Sequence, residues 1–440
     1  MRERIREAIR VIEDLSKKKA IKVISHHDTD GITSAAIFAK TLERWGKKFD
    51  LEIVKNLEQE YIESLPEDKL LIFLDLASGS LPFLGKKNTE VVIIDHHEIP
   101  QKDIPANITI VNPVLFNEEN ISGAGLCYLF AKTLSERNSD LATLATIGMI
   151  GDQLEKNLSK TFNEIINDAE VIVKKGPCLY PATRPLDKVL QYSSSIYIPD
   201  VSGSFAGTIS LLKEAGIGKT SSNYKSLAEL NEKEMSNLIT AIMLKRVGEE
   251  SKAEDLISNL YLVKFFNKLE DARELSALIN ACSRMGQPEV CLGFCLGNKE
   301  AKKNAEKIYI EYKQNISSAL KYINENEKIT GKNYMIINAK DNIRDTIIGT
   351  AASIISHSPL CSEGTVIVGM AYNEDKIKVS CRLSGKKGRN VREILAKAVA
   401  PLSAEVGGHP QAAGCIISKS DEKEFTEAIK NILEIDLVKM

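Results

Sequence analysis

Several features are scarce in this 440-residue chain, and each scarcity excludes something. Apolar runs such as Leu70–Leu74 fall far short of the roughly 20 residues that cross a bilayer, so no membrane association is expected. The opening Met1-Arg2-Glu3-Arg4-Ile5 starts an amphipathic helix and carries no secretory apolar core, which points to a cytoplasmic protein. The eight cysteines include no Cys-x-x-Cys pair. Cys291 and Cys295 read as inward positions of a strand, so buried, reduced thiols are expected rather than a structural zinc. Neither sign of charge prevails, with 58 basic and 60 acidic residues and a net charge of −2. That excludes a uniformly cationic surface but leaves room for a local basic groove. Histidines number only six, so each can be followed.

What is present describes a globular protein of two or three domains. Up to about residue 160, short β-rich runs at 21–25, 51–55, 70–75, 91–95 and 108–112 alternate with helical patterns at 33–45, 123–137 and 141–150. Continuous apolar strands interleaved with helices predict a parallel sheet covered on both faces. Residues 160–270 read as mainly helical, with the amphipathic stretch 227–267 as an inserted or peripheral subdomain. A helix follows over 270–284, and a connector helix over about 302–324. A second, smaller α/β pattern restarts near residue 333, with a hairpin around Asn373-Glu374-Asp375 and a helix capped by Asn390. The expected division is therefore 1–300, a connector within 301–330, and 331–440.

Four of the six histidines fall in two pairs, each at a strand end and beside aspartates: Ser25-His26-His27-Asp28-Thr29-Asp30-Gly31 and Asp95-His96-His97. A third strand end delivers Asp75, and Asp152 follows the helix over 141–150. One strand-end aspartate serves equally well to cap a helix. The conjunction argues otherwise, because parallel strands present their carboxyl ends on one side, where α/β sheets bind ligands. Clustered carboxylates repel one another unless a cation neutralises them. A mixed oxygen and nitrogen donor set suits manganese first, magnesium next and zinc least. Two divalent ions bridged by an aspartate would use all these donors and suit in-line phosphoryl displacement. Ser122-Gly123-Ala124-Gly125 opens a helix and offers amides to a phosphate or merely permits close packing. Arg273, Asn280 and Arg284 share one helix face, as a nucleic-acid track or a solvated stripe.

These residues resemble the DHH phosphoesterase superfamily: His26-x-Asp28-x-Asp30-Gly31, then Asp75, the Asp95-His96-His97 triplet and Gly151-Asp152, in that order. Near the other end, Gly407-Gly408-His409-Pro410-Gln411-Ala412-Ala413-Gly414 is similar to the glycine-rich signature of the DHH-associated domain. Together they follow the order found in RecJ-like exonucleases. The resemblance implies metal ligation by His26, Asp28, Asp30, Asp75, His96 and Asp152, with Asp75 bridging. It implies that His97 faces the scissile phosphate and that Asp95 orients a neighbouring histidine. His27 has no counterpart. Arg382 resembles the family's phosphate-gripping arginine, with a surface ion pair as the alternative. Gly407, Gly408 and His409 would receive a nucleotide phosphate.

The resemblance further implies a manganese- or magnesium-dependent exonuclease of single-stranded DNA, with RNA as a second substrate, of the shorter archaeal type. Two settings are open within that group. One associates with the GINS complex and degrades 5′ to 3′; the other associates with the helicase/nuclease Hef, is a homo-oligomer and degrades 3′ to 5′. The compact length favours the second. Oligoribonucleotide or cyclic-dinucleotide phosphodiesterases of the superfamily are usually shorter. An inactive helicase scaffold should have lost carboxylates that are all present here.

Overall fold

A computed structural model describes residues 1–99, 103–192, 196–220, 222–246, 256–358, 361–385, 387–402 and 404–435. The chain divides into two compact units, 1–308 and 309–440, and the helix Lys299–Glu325 contains the point of division. Among the described residues no helix is long and apolar enough to cross a membrane.

The first unit is built on five strands: β1 (Ile21–His26), β2 (Phe49–Val54), β3 (Leu70–Leu74), β4 (Val91–Ile94) and β5 (Ile108–Val111). All pair in parallel, in the order β2-β1-β3-β4-β5. Every residue of β3 and β4 is buried, as the unbroken apolar runs require when both faces are covered. Ile62, Leu65, Leu81 and Leu84 pack with Phe73 and Ile93 in one such core. Truncating a side chain like Phe73 to alanine would cost about 3–5 kcal/mol. The strand order reverses direction between β1 and β3, and a doubly wound sheet opens its ligand crevice at such a switch point.

The stretch expected to be mainly helical is only partly so. It holds the helices Lys160–Asp168, Leu186–Gln191, Phe205–Glu214 and Glu232–Lys245. It also contributes to a three-stranded antiparallel sheet of Ile172–Pro177, Ile257–Phe265 and Lys268–Asp271. The stretch read as one amphipathic subdomain therefore ends in a strand, and its residues 247–255 lie outside the described ones. Cys291 and Cys295 sit on the helix Pro288–Cys295, not on a strand, because Pro288 starts a helical turn there. All eight cysteines are free thiols, and six are buried.

The second unit is a six-stranded mixed sheet. Its hairpin pairs Val366–Asn373 with Lys376–Leu383. Alternate residues Val366, Val368, Ile377 and Val379 face a core shared with Leu395, Phe425 and Ile429. On the other face, Arg382 meets the helix Asp345–Ser356 through Ser353. Asn390 accepts the amides of Arg392 and Glu393 and starts the helix Val391–Val399.

Candidate metal centre

Strand register decides which side chains meet. Ser25 pairs with Leu74, Leu74 with Ile94, and Ile94 with Val111. The next residue of each strand, His26, Asp75, Asp95 and Asn112, therefore stands level at the carboxyl edge. Asp28 caps the helix Thr29–Arg44, accepting the Gly31 amide at 2.9 Å. Asp30, in the first turn of that helix, is almost fully buried. Its carboxylate accepts the amides of Gly123 at 2.6 Å and Ala124 at 3.0 Å. The Ser122-Gly123-Ala124-Gly125 helix start thus directs its amides at Asp30, not at a phosphate. Glycine is required at 123, since a Cβ there would lie 2.6 Å from the Asp75 Cβ.

Asp75 occupies the centre. Its backbone is left-handed, with φ of 58°, a conformation that a non-glycine residue holds only when its surroundings impose it. On one side, His26 Nδ1 lies 3.1 Å from Asp28 Oδ2 and 3.6 Å from Asp75 Oδ2. On the other, His96 Nε2 lies 3.1 Å from Asp152 Oδ2, 3.3 Å from Asp75 Oδ1 and 3.8 Å from Asp30 Oδ2. Donor atoms fall within 4.8 Å of one another in three sets: His26, Asp28 and Asp75; Asp30, His96 and Asp152; Asp75, His96 and His97. Both carboxylate oxygens of Asp75 and Nδ1 of His26 are buried without a hydrogen-bond partner, despite these short separations. Buried polar atoms left unpaired cost about 1–3 kcal/mol each, and a divalent cation on either side of Asp75 would satisfy them. The donor chemistry fits Mn2+ or Mg2+.

The electrostatics agree. Burial disfavours the His26 imidazolium, but the Asp28 and Asp75 carboxylates overcome it and raise its pKa to about 11. Burial likewise opposes the His96 imidazolium, and Asp152 and Asp75 carry its pKa up to about 12. Burial, then Asp28, pushes Asp75 upward; burial, then Asp75 and Asp152, pushes Asp30 upward. Against the upward pull of burial, His26 holds Asp28 well below the usual carboxylate range. The surrounding carboxylates thus favour positive charge at the centre of the site.

His97 and Asp95 form a separate pair. His97 Nδ1 lies 2.7 Å from Asp95 Oδ1, and the carboxylate also accepts the amides of His96 at 2.8 Å and Ser78 at 2.9 Å. Burial raises Asp95, but His97 and Ser78 outweigh it and hold it well below the ordinary range. Asp95 in turn raises His97. The ionised carboxylate only accepts, so the Nδ1 of His97 carries the proton.

His27 belongs to none of the three donor sets. Its ring packs edge-on against His26 at 4.8 Å, and burial, then His26, lowers its pKa to about 4. Strand-end reasoning missed Asn112, which is buried and donates to the His97 carbonyl and to the Ser78 hydroxyl, both at 2.9 Å. It sits at the same edge as Asp75 and Asp95, so the same argument applies to it. Of the three residues expected on one helix face, Arg273 and Asn280 are only partly exposed and engage protein partners, while Arg284 is exposed. Arg273 lies 3.3 Å from Glu155 Oε1, and Asn280 Oδ1 accepts the Thr29 amide at 3.1 Å.

In the second unit, Arg382 donates through Nε to Ser353 Oγ at 2.8 Å and through Nη1 to the Cys381 carbonyl at 2.8 Å. His409 is exposed at the end of the strand Val406–His409, and Gly408 has φ of +115°.

Residues 20–151 match the DHH family N-terminal domain, residues 331–435 the DHHA1 domain and residues 180–260 the DHH-CID domain. The uncharacterized protein MJ0831 of Methanocaldococcus jannaschii is 31% identical over 456 residues, spanning 98% of this chain and 99% of its own. The single-stranded-DNA-specific exonuclease RecJ of Thermus thermophilus is 32% identical over 166 residues, spanning 34% of this chain and 25% of its own. A solved structure of exonuclease RecJ bound to manganese superposes with a TM-score of 0.59 at 18% identity, over 97% of this chain and 93% of that one. CDC45 from Entamoeba histolytica superposes with a TM-score of 0.67 at 14% identity, over 98% of this chain and 99% of that one. At such identities the two superpositions show a shared fold. The chain belongs to the DHH superfamily, as a RecJ-like member.

Proposed function

We propose that this protein is a metal-dependent exonuclease that hydrolyses phosphodiester bonds of single-stranded DNA, with RNA as a second substrate. The observation that carries this reading is Asp75, whose two buried, unpaired oxygens face a histidine and carboxylates on either side. His26, Asp28 and Asp75 would hold one divalent ion; Asp30, His96 and Asp152 would hold a second, with Asp75 between them. Manganese is the preferred ion and magnesium the substitute. Such ions supply Lewis acidity toward water and the phosphate oxygens.

The chain's own residues do the rest. Asp95 accepts from His97 Nδ1 and favours the protonated ring, so that the second N–H of the imidazolium, on Nε2, can face the scissile phosphate and donate to its developing charge. Asn112 holds the His97 backbone and so aims the ring. In the second unit, Arg382, Gly407, Gly408 and His409 bind a nucleotide phosphate. Ser353 orients the Arg382 guanidinium for that task.

Degradation from 3′ to 5′ alongside a Hef-type helicase/nuclease is the preferred setting, over 5′ to 3′ degradation with GINS. Digestion of strands labelled at either end, with Mn2+ present, distinguishes them: label lost first from the 3′ end supports the preference, and loss from the 5′ end reverses it. The fold shared with CDC45 favours a second reading, a non-catalytic scaffold. That reading requires a folded, metal-loaded protein inert toward long strands and dinucleotides alike.

A further inference from the structure

Asp152 is the one donor set by a turn rather than by the sheet edge or the first turn of a helix. It caps the helix Ala142–Gly151, and Gln153 behind it is left-handed with φ of 59°. What holds this turn lies three residues on. Glu155, on the short helical turn Leu154–Lys156, is 8% exposed, and its Oε1 lies 3.3 Å from Arg273 Nε. Its other oxygen is buried with no hydrogen-bond partner.

Arg273 is itself fixed from several directions. Its Nη1 donates to the Asn259 carbonyl at 2.8 Å. Its guanidinium carbon lies 4.4 Å from the Tyr180 ring centre and 5.7 Å from that of Tyr261. The same helix, Ala272–Arg284, grips the other donor loop. Ser276 accepts the Thr29 hydroxyl at 2.9 Å through its carbonyl, and Asn280 accepts the Thr29 amide at 3.1 Å. Thr29 lies between Asp28 and Asp30. Residues 273, 276 and 280, at spacings of three and four, lie on one face of that helix.

We infer that Arg273 is a positioning residue for the metal centre: by pairing with buried Glu155 it holds the turn that presents Asp152. This rests on the metal-dependent reading above and goes beyond it, because Arg273 is no donor and touches no reacting atom. Without Arg273, Glu155 is a buried carboxylate lacking its cation, and such a group moves toward water. Movement of Glu155 drags the turn, and Asp152 with it. Asp28 and Asp30, which flank Thr29, are anchored through it and stay in place.

The test is a calorimetric Mn2+ titration of the full chain, stripped of metal, for wild type, Arg273→Ala, Arg273→Lys and Asp152→Asn, with a thermal melt of each sample. Wild type should bind two ions. Arg273→Ala should weaken one of them by about tenfold to a hundredfold, the range for partners that orient a ligand, and this should be the ion that Asp152→Asn also weakens. Arg273→Lys keeps the charge but not the planar fork, and should fall between. If Arg273→Ala does not fold, Glu155→Gln carries the same expectation in milder form. A lowered melting temperature with both affinities unchanged would make the pair merely structural and overturn the inference. A folded wild type that binds no Mn2+ would refute the functional reading instead.

Discussion

His96 Nε2 lies 3.3 Å from Asp75 Oδ1 without hydrogen-bonding to it, and the second Asp75 oxygen is equally unpaired. Two buried polar atoms this close that make no hydrogen bond to each other suit joint ligation of a divalent cation. The arrangement leaves both Asp75 oxygens where a divalent cation on either side would find a ligand.

Removing the central charge should cost the protein its response to metal. Asp75→Asn is expected to abolish Mn2+-induced stabilisation, because the carboxylate that faces both histidines is lost. Thermal or urea unfolding with and without Mn2+ checks this; a variant stabilised by Mn2+ as strongly as wild type would contradict it.

Metal binding should compete with protons. With pKa values raised to about 11 and about 12, the His26 and His96 imidazoles are protonated near neutral pH and must lose those protons to ligate. Apparent Mn2+ affinity should rise with pH between about 6 and 9, with protons released on binding. Calorimetry in buffers of different ionisation enthalpy measures the release. Without metal the sign reverses. A group whose pKa is raised from 6.5 to about 11 contributes stability fully present below 6.5 and lost as pH rises through 11, so alkaline conditions should destabilise the metal-free protein.

His97→Ala should separate chemistry from metal binding. Turnover is expected to fall by about 10²–10⁴-fold, the range for a positioned proton-transfer group. Mn2+ affinity should change little, because Nδ1 of His97 is committed to Asp95. Comparison of kcat with a metal titration checks this; equal loss of both would make His97 a ligand, a role its place beside Asp75 and His96 permits.

Gly123→Ala should damage the site from behind. The added methyl would sit 2.6 Å from the Asp75 Cβ and 2.9 Å from its Oδ1. Overpacking of this kind costs about 1–3 kcal/mol, and it should also loosen the two amides that hold Asp30. Chemical denaturation and a Mn2+ titration measure the two effects.

The legible parts of this molecule are those where local pattern and topology coincide. Asp75, Asp95 and His96 can be placed together because unbroken apolar runs mean parallel strands, and parallel strands end on one side. The Asn390 cap is written within four residues. The clamp of Arg273 and Asn280 is not legible: Thr29 and Asn280 are 251 residues apart, and only the folded chain joins them. The strand Ile172–Pro177 escapes notice because it runs along a sheet edge, with Ile172 and Val173 exposed and Lys174 and Lys175 following. Cys291 and Cys295 lie in a short apolar run that fits a strand or a helix, and Pro288 decides for the helix.

The most direct test of the central claim is the rate at which a long single-stranded DNA is digested by Mn2+-loaded wild type and by Asp75→Asn, each also assayed with chelator. A nuclease centred on Asp75 predicts chelator-sensitive release of nucleotides by wild type and a rate at least about 10³-fold lower for the variant, since the central ligand serves both ions. Asp75→Asn digesting the strand as fast as wild type, or a folded, metal-loaded wild type leaving it intact, would contradict it.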